Sequence, residues 1–156
     1  MRIKLTFYAE KNLVIPVQYN YFVQAMIYDN ISKELSDFLH DHGFIIDGRQ
    51  FKLFTFSRLM GRYSIGNGKI EFTPPISLIV ASPVERFLRE LAEGMLRNDN
   101  LNICGRKLML ASISVFPGFE DVDFDEEVVI KMLSPVVAYN TVKKGSGSRT
   151  VYFSPW

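Results

Sequence analysis

The stretch ISLIVASPVERFLRELAEGML, residues 76–96, contains the strand and the helix on which the predicted fold depends. Residues 76–81 are apolar apart from one serine, which predicts a central strand covered on at least one face. Ser82, Pro83 and Glu85 have the residue types of an N-cap, a first helical position and a capping box. The apolar residues beyond the cap recur at the spacing of a helix with one buried face: Val84, Phe87, Leu88, Leu91, Ala92, Met95 and Leu96. We therefore expect a helix whose apolar stripe packs on a sheet.

The segments around this unit predict further strands, with alternating or β-branched and aromatic residues, and two helices with apolar residues at helical spacing. We predict strands at residues 2–8, 51–57 and 107–115, with a connection at residues 9–16. A first helix is predicted from residue 17 to 28, and a second opens at Ser32 or at Asp29-Asn30 and ends before Gly43. A hairpin sets Tyr63 and Ile65 opposite Ile70 and Phe72. The resulting order is βαββαβ, that of an α+β fold of the ferredoxin-like (RRM-like) type. Both helical elements then lie on one face of an antiparallel sheet, and the other face is available to a partner.

The C-terminal segment, residues 118–156, is predicted to follow a ferredoxin-like domain at residues 1–117 and to add β-strands. Strand-like patterns occur at residues 128–133, 136–142 and 150–153. The acidic run at residues 120–127 lacks the glycine and glutamate spacing of a calcium loop and is typical of a solvated loop. The basic glycine-serine turn at residues 143–149 is either a contact for an RNA backbone or a soluble hairpin tip.

The composition excludes several classes of protein. Hydrophobic residues make up 47% of the 156 residues, which is typical of a folded globular chain. Eighteen basic and seventeen acidic residues leave a net charge of +1, so nucleic-acid binding would depend on local clusters of cations. One cysteine, Cys104, excludes an internal disulfide. No apolar run reaches the roughly 20 residues of a membrane helix, and no signal peptide is evident, so we expect a cytoplasmic protein without a membrane partner.

His40 and His42 are the pair of residues that most resembles a metal site. On a helix, positions i and i+2 lie about 200° apart, whereas chelating pairs are four residues apart. The sequence therefore predicts neither a metal ion nor another cofactor.

Tyr28, His40 and Lys52 are the candidate catalytic residues. A proton donor, a group that titrates near neutrality and a fixed cation are what metal-free cleavage of a phosphodiester requires. Residue types alone favour a simpler interpretation, in which Tyr28 is a helix-edge tyrosine, His40 a surface histidine and Lys52 an exposed lysine at a strand end.

Five longer motifs surround these residues and continue beyond them. In chain order they are YNYFVQAMIYDNIS (19–32), DFLHDHGF (37–44), FKLFTFSRLMGRY (51–63), SLIVASPVERFLRELAEGMLR (77–97) and VVIKMLSPVVAYNT (128–141). Together they resemble the N-terminal half of the CRISPR-associated endoribonucleases that cut precursor CRISPR RNA within each repeat. Those enzymes belong to the repeat-associated superfamily, built from paired ferredoxin-like domains.

The resemblance implies an active site formed by Tyr28, His40 and Lys52. The RNA 2′-hydroxyl would be the nucleophile, His40 the base or acid, Tyr28 its partner or a phosphate donor, and Lys52 the electrostatic stabiliser. The products would be a 2′,3′-cyclic phosphate and a 5′-hydroxyl, without a metal. The cations predicted to contact RNA are Arg58, Arg62, Lys143, Lys144 and Arg149.

The resemblance also implies the partners. We expect CRISPR repeat RNA, as precursor and mature CRISPR RNA, and also consider other proteins of a CRISPR effector complex. The given sequence ends at residue 156, where the resemblance would place the start of the second ferredoxin-like domain, and it is either a fragment or a natural short form. For the chain without that domain we expect weak RNA affinity, poor or absent cleavage and a tendency to form homodimers. The alternatives are a non-catalytic RNA-binding or scaffold subunit of a CRISPR ribonucleoprotein and a generic ferredoxin-like interaction domain.

Overall fold

The computed structural model describes residues 1–116, 127, 139–144 and 147–152, which contain three helices and twelve strands. The helices are α1 (Asn20–Tyr28), α2 (Lys33–Asp41) and α3 (Glu85–Arg97). The strands are β1 (Arg2–Tyr8), β2 (Leu13–Pro16), β3 (Phe44–Ile46), β4 (Arg49–Phe51), β5 (Thr55–Phe56), β6 (Met60–Gly66), β7 (Lys69–Ala81), β8 (Asn102–Ile103), β9 (Arg106–Lys107), β10 (Met109–Phe116), β11 (Tyr139–Lys144) and β12 (Gly147–Tyr152). The chain divides into two compact units, Met1–Asp121 and Val122–Trp156. No helix within the described ranges is long and apolar enough to cross a membrane.

The first unit is organised on a six-stranded antiparallel sheet. Its central strands run in the order β10-β1-β7-β2, and β5 and β6 also pair with β7. Leu5 of β1 lies opposite Ile113 of β10 on one side and Leu78 of β7 on the other. The sequence prediction of an α+β, ferredoxin-like fold is confirmed.

The β6–β7 hairpin has the predicted register. Tyr63 lies opposite Phe72, and Ile65 lies opposite Ile70. The turn uses Asn67 and Gly68, both at positive φ, as a two-residue hairpin turn of this kind requires.

The core lies between one face of the sheet and the helices. Alternate residues of β1 and β7 are buried on this face, because side chains of a strand point to opposite sides with period two: Ile3, Leu5, Phe7, Ile70, Phe72, Ile76, Leu78 and Val80. α3 covers them with Phe87, Leu88, Leu91 and Met95, while Leu96, predicted to belong to the same stripe, is 68% exposed.

Two segment assignments are wrong. Residues 9–16 are not only a connection, because β2 pairs with the first half of β7. The strand predicted at residues 51–57 is interrupted: β4 pairs back onto β3, residues 52–54 belong to no strand, and β5 is two residues long. The interruption falls at Leu53, whose φ of 52° is outside the range of a strand.

The capping assignment for α3 is also wrong. The helix begins at Glu85, and Val84 is extended with φ −90° and ψ 101° and has no side-chain cap. Ser82 Oγ accepts a hydrogen bond from Val84 N at 3.0 Å, but donates its own hydrogen to the carbonyl oxygen of Leu53 at 2.7 Å. A long-range hydrogen bond therefore engages the hydroxyl that the sequence assigned to a helix cap.

The described part of the second unit is a β-hairpin. β11 and β12 pair antiparallel, with Val142 opposite Arg149. The predicted strand at residues 128–133, the acidic run apart from Glu127, and the Gly145-Ser146 tip lie outside the described residues. The division at residue 117 and the expectation that this chain lacks a second ferredoxin-like domain remain predictions.

Candidate functional site

Tyr28 is the last residue of α1, and the end of this helix is fixed by its neighbours. The Asn30 side-chain amide donates to the carbonyl oxygen of Met26 at 2.7 Å, and the side chain of Asn98, just past the C-terminal end of α3, donates to Asn30 Oδ1 at 2.9 Å. Gly94 of α3 lies so close to the Asn30 carbonyl oxygen that a Cβ there would overlap it. α1 and α3 therefore approach closely where α1 presents Tyr28.

The Tyr28 ring belongs to a cluster with Phe54 and Phe87, called here the inner aromatic cluster. Tyr28 meets Phe54 edge to face at 5.9 Å between ring centroids, and Phe54 stacks on Phe87 at 4.8 Å. The Tyr28 hydroxyl is buried and has no hydrogen-bond partner among the described residues. An unsatisfied buried hydroxyl costs about 1–3 kcal/mol. A direct contact between this hydroxyl and a phosphate would require the ring to move.

Lys52 lies beside the same ring. Its side chain is exposed, and its Nζ lies 5.6 Å from the centroid of the Tyr28 ring, within the range of a cation–π interaction. The structure thus brings together two of the three predicted catalytic residues.

His40 is in the last turn of α2, where the helix dipole favours a cation. Its side chain is 77% exposed, and its Nδ1 lies 2.7 Å from Asp41 Oδ1. The hydrogen bond with His40 lowers the pKa of the Asp41 carboxyl. With Nδ1 engaged, Nε2 is the ring nitrogen available to a substrate. Within the described ranges no hydrogen bond joins His40 to Tyr28 or Lys52.

The β3–β4 hairpin connects the end of α2 to Lys52. Gly43, at φ +62°, ends the helix, and its N donates to the Phe38 carbonyl oxygen at 2.6 Å. A Cβ at Gly43 would lie 2.7 Å from the carbonyl oxygen of Phe51, the residue before Lys52. Glycine is therefore required for the close approach between the helix that carries His40 and the chain that leads to Lys52.

The predicted RNA-contacting cations fall in both units. Arg58 and Arg62 are exposed in the first unit, and Arg58 borders a surface groove with Tyr21 and Tyr63. Lys143 and Lys144 belong to β11 and Arg149 to β12 in the second unit.

Potential metal ligands are not grouped in the described structure. No cluster of three or more His, Cys, Asp or Glu residues there is arranged to hold an ion.

The sequence patterns did not reveal the roles of three residues that surround the candidate site: Asp41, Phe54 and Ser82. Asp41 is next to His40 in the chain, so the sequence alone could have suggested that the two side chains pair. Phe54 was assigned only to a strand face, and Ser82 to a helix cap. Their contacts with Tyr28 and Leu53 join segments more than twenty residues apart, for which no local pattern exists.

Several solved structures with the same fold are of Cas6 or RAMP proteins. A Cas6-related protein from Pyrococcus furiosus is 23% identical with a TM-score of 0.68, and a RAMP protein that binds different RNA substrates is 23% identical with a TM-score of 0.67. A Cas6 product complex is 19% identical with a TM-score of 0.56. These alignments cover 99%, 99% and 96% of the present chain, and 62%, 63% and 58% of the other chains. The chain thus spans less than two thirds of their length, and the likeness concerns the fold.

Sequence comparison identifies the family. No curated protein matches the chain significantly. The family model for the N-terminal part of the CRISPR-associated protein Cas6 matches residues 14–114, which is more than half of the chain. The chain therefore belongs to the Cas6 family of CRISPR-associated proteins.

Proposed function

We propose that this protein processes CRISPR RNA as an endoribonuclease that cleaves within repeats without a metal ion. The observation that carries the proposal is the Lys52 ammonium 5.6 Å from the ring centre of Tyr28. Family membership supports the substrate class, because relatives include a RAMP protein that binds RNA and a Cas6 product complex.

The proposed reaction uses the RNA 2′-hydroxyl as the nucleophile. The 2′ oxygen forms a bond to phosphorus while the bond from phosphorus to the 5′ oxygen breaks. One proton leaves the 2′-hydroxyl to a base, and one proton is given to the departing 5′ oxygen. The products are a 2′,3′-cyclic phosphate and a 5′-hydroxyl.

The side chains have separate roles in this reaction. His40, with Nδ1 engaged by Asp41, exchanges one of these two protons through Nε2, and solvent water exchanges the other. The Lys52 ammonium stabilises the charge that develops on the phosphate oxygens. Tyr28 donates a hydrogen bond to the phosphate after its ring has moved, since its hydroxyl is buried in the absence of RNA.

The test compares His40→Ala with His42→Ala. Both histidines are exposed, at the end of α2 and just beyond it, so His42→Ala controls for surface charge and helix stability. We expect His40→Ala to slow single-turnover cleavage of repeat RNA in EDTA by roughly 10²-fold or more, as for loss of a general acid or base. RNA affinity should be retained in both variants. Undiminished cleavage by His40→Ala, or 3′ ends without a cyclic phosphate by mass analysis, would contradict the proposal.

A second candidate function is binding of CRISPR RNA without cleavage, as a subunit beside other CRISPR proteins. The buried Tyr28 hydroxyl favours it, because a phenol already directed at the substrate would be expected in a preformed catalytic site. Retention of repeat RNA by the wild-type chain, with no product under conditions that activate a longer relative, would select this candidate.

A further inference from the structure

Leu53 has an unusual backbone conformation for its residue type. Its φ is +52°, in the left-handed region where a Cβ approaches the carbonyl oxygen and which residues other than glycine, asparagine and aspartate seldom occupy. Leu53 lies between Lys52 and Phe54, at the corner where the chain leaves β4 and enters β5. Such a conformation persists where surrounding contacts maintain it, and it is common near functional sites.

Ser82 supplies the contact that maintains this corner. Its side chain is buried, and its hydroxyl donates to the Leu53 carbonyl oxygen at 2.7 Å while accepting from Val84 N at 3.0 Å. Ser82 directly follows β7, and its own N donates to the Met1 carbonyl oxygen at 3.2 Å. The donor that reaches Leu53 is therefore attached to the central sheet.

Two side chains approach Tyr28 from either side of the corner at Leu53. Lys52, on one side of it, has its Nζ 5.6 Å from the Tyr28 ring centroid, and Phe54, on the other side, meets the same ring at 5.9 Å. Phe54 is also stacked on Phe87 and is held by packing. Lys52 is exposed, and one peptide bond joins it to Leu53.

We propose that Ser82 is a positioning residue for Lys52: its hydroxyl maintains the left-handed conformation of Leu53 and so directs the Lys52 ammonium onto the Tyr28 ring. The expected effect of this positioning on RNA cleavage rests on the proposed function. The geometry itself can be tested without RNA.

The first test is the NMR signal of the Lys52 Cε–H groups in protein labelled with ¹³C-lysine, since a nearby aromatic ring shifts this signal upfield. Lys52→Arg assigns the signal, and Tyr28→Leu gives its position without the ring. We expect Ser82→Ala to move the signal most of the way to that reference. Ser82→Thr, which keeps the hydroxyl, should leave it close to the wild-type position. An unmoved signal in folded Ser82→Ala would overturn the proposal.

Leu53→Val gives a second route if Ser82→Ala does not fold. A β-branched residue disfavours the left-handed region, and this change leaves the bond between Ser82 and Val84 intact. The Lys52 signal should again move toward the reference. A signal that stays in place in Leu53→Val would also count against the proposal.

The second test is a double-mutant cycle with RNA. We expect Ser82→Ala to lower the single-turnover rate at saturating RNA roughly 10- to 100-fold with RNA affinity unchanged, as for a misplaced catalytic group. In a Lys52→Ala background the same change should have little further effect, whereas a purely structural role would lower the rate in both backgrounds. If the wild-type chain does not cleave RNA, the proposed function fails, and the lysine signal still decides the role of Ser82.

Discussion

The two ends of the candidate site are built differently. The inner aromatic cluster of Tyr28, Phe54 and Phe87 is held by packing, and its only polar group at the ring edge, the Tyr28 hydroxyl, is left without a partner within the described residues. The outer end, His40 with Asp41, is exposed and held by one short hydrogen bond between neighbours in the chain. A packed side chain is held in place but is hard for a substrate to reach. An exposed side chain can exchange protons but is positioned less precisely. Changes at the two ends should therefore separate stability from activity.

The largest loss of stability is expected at Gly43, which lies in the chain between the outer end and Lys52. Gly43→Ala combines a left-handed φ with a Cβ 2.7 Å from the Phe51 carbonyl oxygen, and should lower the free energy of unfolding by about 3 kcal/mol. Gly48→Ala is the matched control, because Gly48 has φ +72° and open space, and should cost only about 1 kcal/mol. Urea denaturation measures both. Equal costs would mean that the approach to Phe51 is not tight.

The next largest effect is expected in the inner aromatic cluster. Phe54→Ala removes a half-buried ring stacked on Phe87 and should cost about 2 kcal/mol. Ile45→Ala, in the β3–β4 hairpin, truncates a side chain that is 75% exposed and should change stability by less than about 0.5 kcal/mol. Similar costs in thermal or urea unfolding would mean that packing does not hold the inner aromatic cluster.

For Tyr28→Phe we expect a smaller effect on stability, in the stabilising direction. Removing a buried hydroxyl without a hydrogen bond should leave stability unchanged or raise it by up to about 1 kcal/mol, because the desolvation penalty disappears. Cleavage of repeat RNA should nevertheless fall, about tenfold for one lost donor to the phosphate. A lower melting temperature would indicate that the hydroxyl has a partner in solution, and unchanged cleavage would remove Tyr28 from the proposed mechanism.

The smallest effect on stability is expected for Asp41→Asn. The hydrogen bond with His40 lowers the pKa of Asp41, so the folded state binds a proton less readily than the unfolded state. The resulting stabilisation is present above the unfolded pKa, near 4, and is lost as the pH falls through the lower folded value. Wild type should therefore melt slightly above Asp41→Asn at about pH 6, and the difference should shrink as the pH falls below the unfolded pKa. A difference that grows in acid, or that persists in a His40→Ala background, would contradict this pairing.

The sequence predicted most of the fold because the relevant signals are local. The period-two pattern of β1, the turn at Asn67-Gly68 and the apolar stripe of α3 each reside in a few consecutive residues. The errors occurred where a distant partner overrides a local preference. Leu53 interrupts an apparent strand, and Ser82 gives its hydroxyl hydrogen to Leu53 and is not the N-cap of α3.

The candidate site likewise combines features that the sequence predicted with features that only the structure shows. The residue types of Tyr28, His40 and Lys52, and the family motifs around them, were evident from the chain alone. The contact of Lys52 with the Tyr28 ring and the burial of the Tyr28 hydroxyl were not, because they depend on how Phe54 and Phe87 pack.

By itself the amino-acid sequence determined the ferredoxin-like class, the positions of β1, the β6–β7 hairpin and α3, and the side chains with suitable chemistry, since hydrophobic periodicity and residue type are properties of neighbouring positions. Only the tertiary structure decided which of those side chains meet, which is exposed and which is enclosed. Those outcomes arise from packing and hydrogen bonds between segments far apart in the chain, where a single buried hydroxyl such as that of Ser82 can select the conformation of a distant residue.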